Sequence, residues 1–137
     1  MKIAVAIDGS ENATRAAKHA ITLSQYVPEA QLDIICVLDY DKAKEDRLFT
    51  QSPESLSLKR ERKVNPVLEL AKAAGVETKV TMLKGNPSQE IIKYVNQEGI
   101  DQLVIGSRGL STFQEMILGS VSHKVMKHVS CPVTIVK

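Results

Sequence analysis

Short apolar runs alternate along this chain with longer stretches in which apolar residues recur at helical spacing, and this alternation limits the fold more than any other feature. KIAVAI, residues 2–7, is almost wholly apolar, the pattern of a strand covered on both faces. Asp8-Gly9-Ser10 interrupts it, and Ser10 can cap a helix whose first turn holds Glu11, an acid well placed for the helix dipole. Ala13, Ala16, Ala17, Ala20, Ile21 and Val27 then recur at helical spacing until Pro28. Further strands are expected at residues 32–38, 76–83, 103–105 and 133–136. Between them the pattern predicts a helix over about 54–74 closed by Gly75, with Pro66 inside it as a kink or break. Asn86-Pro87 reads as cap and first residue of a helix reaching about Glu98, and Ser120 opens a last helix with Val121, Val125 and Val129 on one face. Strands alternating with helices in a chain of 137 residues imply one α/β domain, a parallel sheet with helices on both faces.

Composition narrows the partners. Net charge is +2 with acids and bases interleaved, and aromatics are 4% with no Trp, so neither a basic patch nor a base-stacking surface is present and nucleic acid is not expected. The apolar run at the N-terminus is too short for a signal peptide and no stretch reaches membrane-spanning length, so the chain reads as cytoplasmic with no membrane partner. Cys36 and Cys131 are far apart, form no metal or redox spacing, and read as buried small hydrophobes. Residues 39–53, DYDKAKEDRLFTQSP, are charged and patternless. A solvated excursion is the plain reading, and a mobile element that folds over a ligand is the functional one.

In a parallel sheet of this kind, ligands bind outside the carboxyl ends of the strands where the strand order reverses. Two segments match that position in composition: Asp8-Gly9-Ser10, and GSRGLSTFQEMILGS at residues 106–120. Gly106 ends a strand and Gly119-Ser120 begins a helix, whose free N–H groups and partial positive charge favour an anion such as phosphate. Ser120 and Ser122 can add hydroxyls, and Gly106 and Gly109 can let the backbone lie close to a ribose or pyrophosphate. From spacing alone the stretch is equally a strand-to-helix connection whose glycines satisfy turns. Neither a P-loop nor a G-x-G-x-x-G follows the first strand, so an NTPase of that type and a dinucleotide dehydrogenase have no support.

Gly106-Ser107-Arg108-Gly109, then nine residues, then Gly119-Ser120 resembles the G-x2-G-x9-G-[ST] ATP-binding signature of the universal stress protein family. The opening KIAVAIDGSENA and the ending CPVTIVK are also similar to that family, so the likeness covers residues 1–137 as one domain. It implies a five-stranded parallel, Rossmann-like sheet in the order 3-2-1-4-5. It also implies ATP as ligand, with Mg2+ or Mn2+ on its phosphates but no protein carboxylate marked as metal ligand. Asp8 would face the adenosine end, and the backbone at Val37 would contact the adenine. Ile105 and Gly106 would line the nucleoside, and Gly109 would permit close approach. Gly119, Ser120 and Val121 would offer N–H groups to the phosphates, with Ser122 an extra hydroxyl. The chain departs from the pattern at Ala6, where some ATP-binding members carry proline, and at Cys36, where histidine is common.

The expected function is therefore an ATP-binding, nucleotide-regulated protein of stress-response signalling. The family likeness further implies a homodimer paired through the C-terminal strand, whose exposed edge would otherwise need cover. Two alternatives stand beside it, a nucleotide-independent dimeric scaffold and a slow ATPase or phosphotransferase. No positioned base, phosphate-clamping lysine or pair of metal carboxylates stands out, and His19, His123 and His128 read as surface or half-buried residues, so at most weak ATP hydrolysis is expected.

Overall fold

The computed structural model describes residues 1–39, 53–109 and 118–137. The elements run β1 (Lys2–Ile7), α1 (Glu11–Tyr26), β2 (Gln31–Leu38), α2 (Pro53–Ala73), β3 (Thr78–Lys84), α3 (Pro87–Gln97), β4 (Gln102–Gly106), α4 (Ser120–His128) and β5 (Val133–Val136). The strands form one parallel sheet in the order β3-β2-β1-β4-β5. The order reverses between β1 and β4, as expected, which leaves a crevice at their carboxyl ends.

Strand side chains alternate between two apolar layers, because successive residues point to opposite faces. Ile3, Val5, Ile7, Leu32, Ile34 and Cys36 pack with Ala13, Ala16, Ala17 and Ala20 of α1 and with Val64, Val67 and Ala71 of α2. On the other face Ala4, Ala6, Ile35, Leu103 and Ile105 meet Ile91 and Val95 of α3 and Val125 of α4. Each fully buried Ile, Leu or Val contributes about 1.5–3 kcal/mol over its exposed state. The small alanines of α1 let that helix lie close to the sheet, and this closeness governs the site below.

Local signals set the element ends. Ser10 caps α1, its hydroxyl accepting from the Ala13 N–H at 3.1 Å. Asn86 caps α3 by accepting from the Gln89 N–H at 3.2 Å, with Pro87 following. Gly75, at φ +71°, closes α2, where its N–H reaches the Lys72 carbonyl and the Val76 N–H reaches that of Ala71.

The structure corrects three boundaries. α2 runs unbroken through Pro66, which is exposed. β3 starts at Thr78 because Val76 is spent in closing α2. α4 stops at His128, so Val129 is its cap and lies outside the helix. The expectation of a ligand-covering loop over 39–53 falls on residues 40–52, outside the described residues.

Candidate functional site

Register places the crevice residues on one level. Ile7 pairs with Cys36 and Ala6 with Ile105, so Asp8 follows β1 beside Val37 of β2 and beside the end of β4. Ile105 is buried and Val37 half-buried, both on the α3–α4 face. Asp8, Val37, Ile105 and Gly106 thus share the carboxyl edge of the sheet.

Gly106 has a structural reason to be glycine. A Cβ there would lie 3.0 Å from the backbone carbon, the carbonyl oxygen and the Cβ of Asn12 in the first turn of α1. Beside it, the buried Ser107 ties three elements together. Its N–H donates to the Val136 carbonyl of β5 at 2.7 Å, and its carbonyl accepts from the Gly119 N–H at 2.7 Å. Its hydroxyl accepts from Asn12 Nδ2 at 3.0 Å. Arg15 in turn donates to Asn12 Oδ1, and its Nε donates to the Lys137 carbonyl at 2.8 Å. The end of β4, the first turn of α1 and the end of β5 form one hydrogen-bonded unit.

That unit carries the N-terminus of α4. Gly119 caps it in extended conformation with no side-chain cap, and the Gly119 carbonyl accepts from the His123 N–H at 2.9 Å. Helix geometry leaves the N–H groups of Ser120, Val121 and Ser122 without an acceptor inside the helix, and no hydrogen bond joins them to another of the described residues. Two of the expected donors have other work in this structure. The Gly119 N–H is taken by Ser107, and the Ser122 hydroxyl is buried and donates to the Gly106 carbonyl at 2.7 Å. The Gly119 N–H and the Ser122 hydroxyl therefore hold α4 to the end of β4. Ser120 is exposed, and Val121 packs partly into the α3–α4 layer.

Asp8 sits between the two halves of the crevice. Its Oδ1 accepts from the Ser10 N–H at 2.9 Å. A Cβ on Gly109 would lie 2.7 Å from its Oδ2, so the glycine backbone approaches this carboxylate directly. On the other side, Gly9 adopts φ +88° and is covered by Lys63 of α2, whose Cγ would be 3.1 Å from a Cβ placed there. Burial raises the Cys36 thiol above its ordinary value, while the nearby charges of Lys63 and Arg60 pull it down and that of Asp8 pushes it up. Asp8, Lys63 and Arg60 thus all act on Cys36 from the carboxyl edge. Cys131 is only half-buried.

His19, His123 and His128 are all exposed. Among the described residues no group of three His, Cys, Asp or Glu gathers to hold a metal ion, and no helix is long and apolar enough to cross a membrane. A separate cavity of about 260 Å³ lies at the amino ends of the strands, among Lys2, Asp33, Glu77, Lys79, Tyr94 and Glu98. Several of its polar groups are joined by hydrogen bonds. Asp33 accepts from Thr81 Oγ1 at 2.7 Å and from the Tyr94 hydroxyl, and Lys79 Nζ donates to that hydroxyl at 3.4 Å. Lys2 Nζ donates to the Glu98 carbonyl at 3.3 Å. Burial, then the Asp33 bond, raise the Tyr94 phenol above the ordinary tyrosine value.

Sequence reasoning missed the roles of Asn12, Ser107 and Lys63. Asn12 and Ser107 are 95 residues apart, and Lys63 approaches Gly9 from a helix on another part of the chain, so no local spacing announces either contact.

A sequence model described as the universal stress protein family matches residues 1–137. Universal stress protein YxiE of Bacillus subtilis is 35% identical, covering 99% of this chain and 98% of its own. The solved structure of protein MJ0577 superposes with a TM-score of 0.87 at 28% identity, covering 99% of this chain and 94% of that one. Its source is Methanocaldococcus jannaschii. A universal stress protein crystallised in complex with cAMP superposes with a TM-score of 0.73 at 25% identity, covering 100% of this chain and 96% of that chain.

Proposed function

This chain belongs to the universal stress protein family, and from that premise we propose that it is a cytoplasmic, ATP-binding regulatory protein that acts as a homodimer in stress-response signalling. The observation that carries this reading is the meeting of Asp8, Gly109 and the uncapped N-terminus of α4 at the point where the strand order reverses. A relative of the same fold crystallised with cAMP, an adenine nucleotide, supports the ligand class.

In this reading the N–H groups of Ser120, Val121 and Ser122 hold phosphoryl oxygens, each hydrogen bond to the charged group contributing about 1.5–3 kcal/mol. The exposed Ser120 hydroxyl adds a donor. Gly109 admits the ligand against the backbone, Asp8 faces the adenosine, the Val37 backbone meets the adenine, and Ile105 with Gly106 lines the nucleoside. Gly119 serves by holding the turn in place. A divalent cation would ride on the phosphates and offset their mutual repulsion. Among the described residues β5 pairs only with β4 and leaves an edge of four half-buried residues, which suits pairing with a second copy.

Calorimetric titration of nucleotide-free protein with ATP and Mg2+ tests this. Wild type should bind, Gly109→Val should not, because its side chain displaces the Asp8 carboxylate, and Ser120→Ala should bind more weakly. ADP and AMP should bind less well than ATP. No heat and no rise in melting temperature with wild type would overturn the nucleotide reading and leave a dimeric scaffold.

A further inference from the structure

Lys63 is placed in a way the family signature does not account for. Its stem lies along Gly9, with Cγ at 3.1 Å and Cδ and Cε at 3.6 Å from the position a Cβ would take. The side chain is therefore laid toward the carboxyl edge of β1. It is half-buried, and no hydrogen bond or ion pair joins its ammonium to another of the described residues. The groups that act with it on Cys36 are Asp8 and Arg60. Cys36 is a buried thiol kept protonated by its surroundings, and Arg60, one turn earlier on α2, carries the same charge. Asp8 acts on Cys36 together with Lys63 and Arg60, and its Oδ1 accepts from the Ser10 N–H. Two cations on one face of α2 at the carboxyl edge favour an anion there.

We infer that Lys63, assisted by Arg60, is a ligand-binding cation of the crevice, and that its ammonium donates to the 5′-phosphoryl group next to the ribose of the bound nucleotide. This rests on the nucleotide reading above and extends it to a part of the chain outside the glycine signature. A ligand running from Val37 across Asp8 to the N-terminus of α4 crosses β1 beside Gly9, where Lys63 lies. The outer phosphates then belong to α4 and the inner one to Lys63. Gly9 keeps the cation's path clear, since a side chain there would occupy the space of the lysine stem.

Lys63→Met retains a stem over Gly9 and removes the charge, and Lys63→Arg restores the charge. Adenosine, AMP and ATP are titrated into each by calorimetry, with unliganded melting temperatures recorded to register any loss of folding. Lys63→Met should weaken AMP and ATP by about ten-fold, the scale of one charge-assisted hydrogen bond, and leave adenosine unchanged. Lys63→Arg should recover most of the loss. Equal AMP affinity in Lys63→Met and wild type, or a proportionate loss for adenosine, would overturn the assignment while the nucleotide reading stood. If wild type binds no adenine nucleotide, that reading falls, and ribose 5-phosphate decides for Lys63. Binding lost in Lys63→Met upholds the cation site, and no binding by wild type refutes it.

Discussion

Gly106→Ala distinguishes a glycine kept for the fold from one kept for a ligand, because the two roles predict stability changes of opposite sign. Gly106 does not adopt the left-handed conformation, so alanine fits its backbone. If only a ligand required glycine here, alanine would stabilise the unliganded protein by about 0.4–1 kcal/mol through a less flexible unfolded chain. The packing argues the reverse. Three Asn12 atoms would lie 3.0 Å from the new methyl, against a comfortable carbon–carbon separation of about 3.5–4.0 Å. Two of them are helix backbone and cannot rotate away. Relief requires the first turn of α1 to move by about half an ångström, which strains the Asn12–Ser107 bond and the Arg15 bond behind it. Overpacking of this kind costs about 1–3 kcal/mol, so the net loss should be about 1–2 kcal/mol once the chain-entropy gain is set against it. At roughly 3–5 °C per kcal/mol for a domain of this size, the melting temperature should fall by about 3–10 °C. Calorimetry or thermal circular dichroism without nucleotide reads this directly. An alanine variant that melts at or above wild type would refute the packing argument and return Gly106 to the ligand.

The half-buried polar cluster at the other end of the sheet gives a second prediction. Tyr94→Phe removes one donor from the Asp33 carboxylate and leaves Thr81 as the other, so urea unfolding at pH 7 should show a loss of about 1–2 kcal/mol. The folded protein holds the Tyr94 proton more tightly than the ordinary value of 10.0, so this phenol's contribution is complete below that pH. It is lost as pH rises beyond it toward the raised folded value, and the gap between wild type and Tyr94→Phe should narrow there. The cysteines give a third. Burial raises both thiols above the ordinary value, but Cys36 is 2% exposed and Cys131 half-buried. Iodoacetamide at pH 8 followed by peptide mass spectrometry should show Cys131 modified before Cys36 in the native protein and both modified in urea; prior modification of Cys36 would contradict its placement.

The fold was legible because its signals are local and agree with one another. Apolar runs mark the strands, Ser10 and Asn86 cap helices with their own side chains, and Gly75 closes α2 at positive φ. The errors lie where a neighbour overrides the local signal. Pro66 sits inside an unbroken helix whose faces at Val64 and Val67 are held by the core, and Val76 is drawn into the α2 cap before β3 can begin. The site was legible only as a place. Asp8, Gly109 and the N-terminus of α4 could be brought to one edge from strand order, because that order follows from topology. What each group does there depends on contacts of long sequence separation. Gly119 and Ser122 offer donors when read along the chain, and in space those donors face Ser107 and Gly106. Lys63 carries no pattern of its own, since a lysine on an amphipathic helix looks the same whether it points to solvent or across a glycine.

Both fasteners of α4, the Gly119 N–H on Ser107 and the Ser122 hydroxyl on Gly106, end on the same strand terminus. The position of the α4 N-terminus is therefore inherited from the sheet: whatever shifts the end of β4 carries the first turn of α4 with it, and a substitution that loosens either fastener acts on the crevice through the strand.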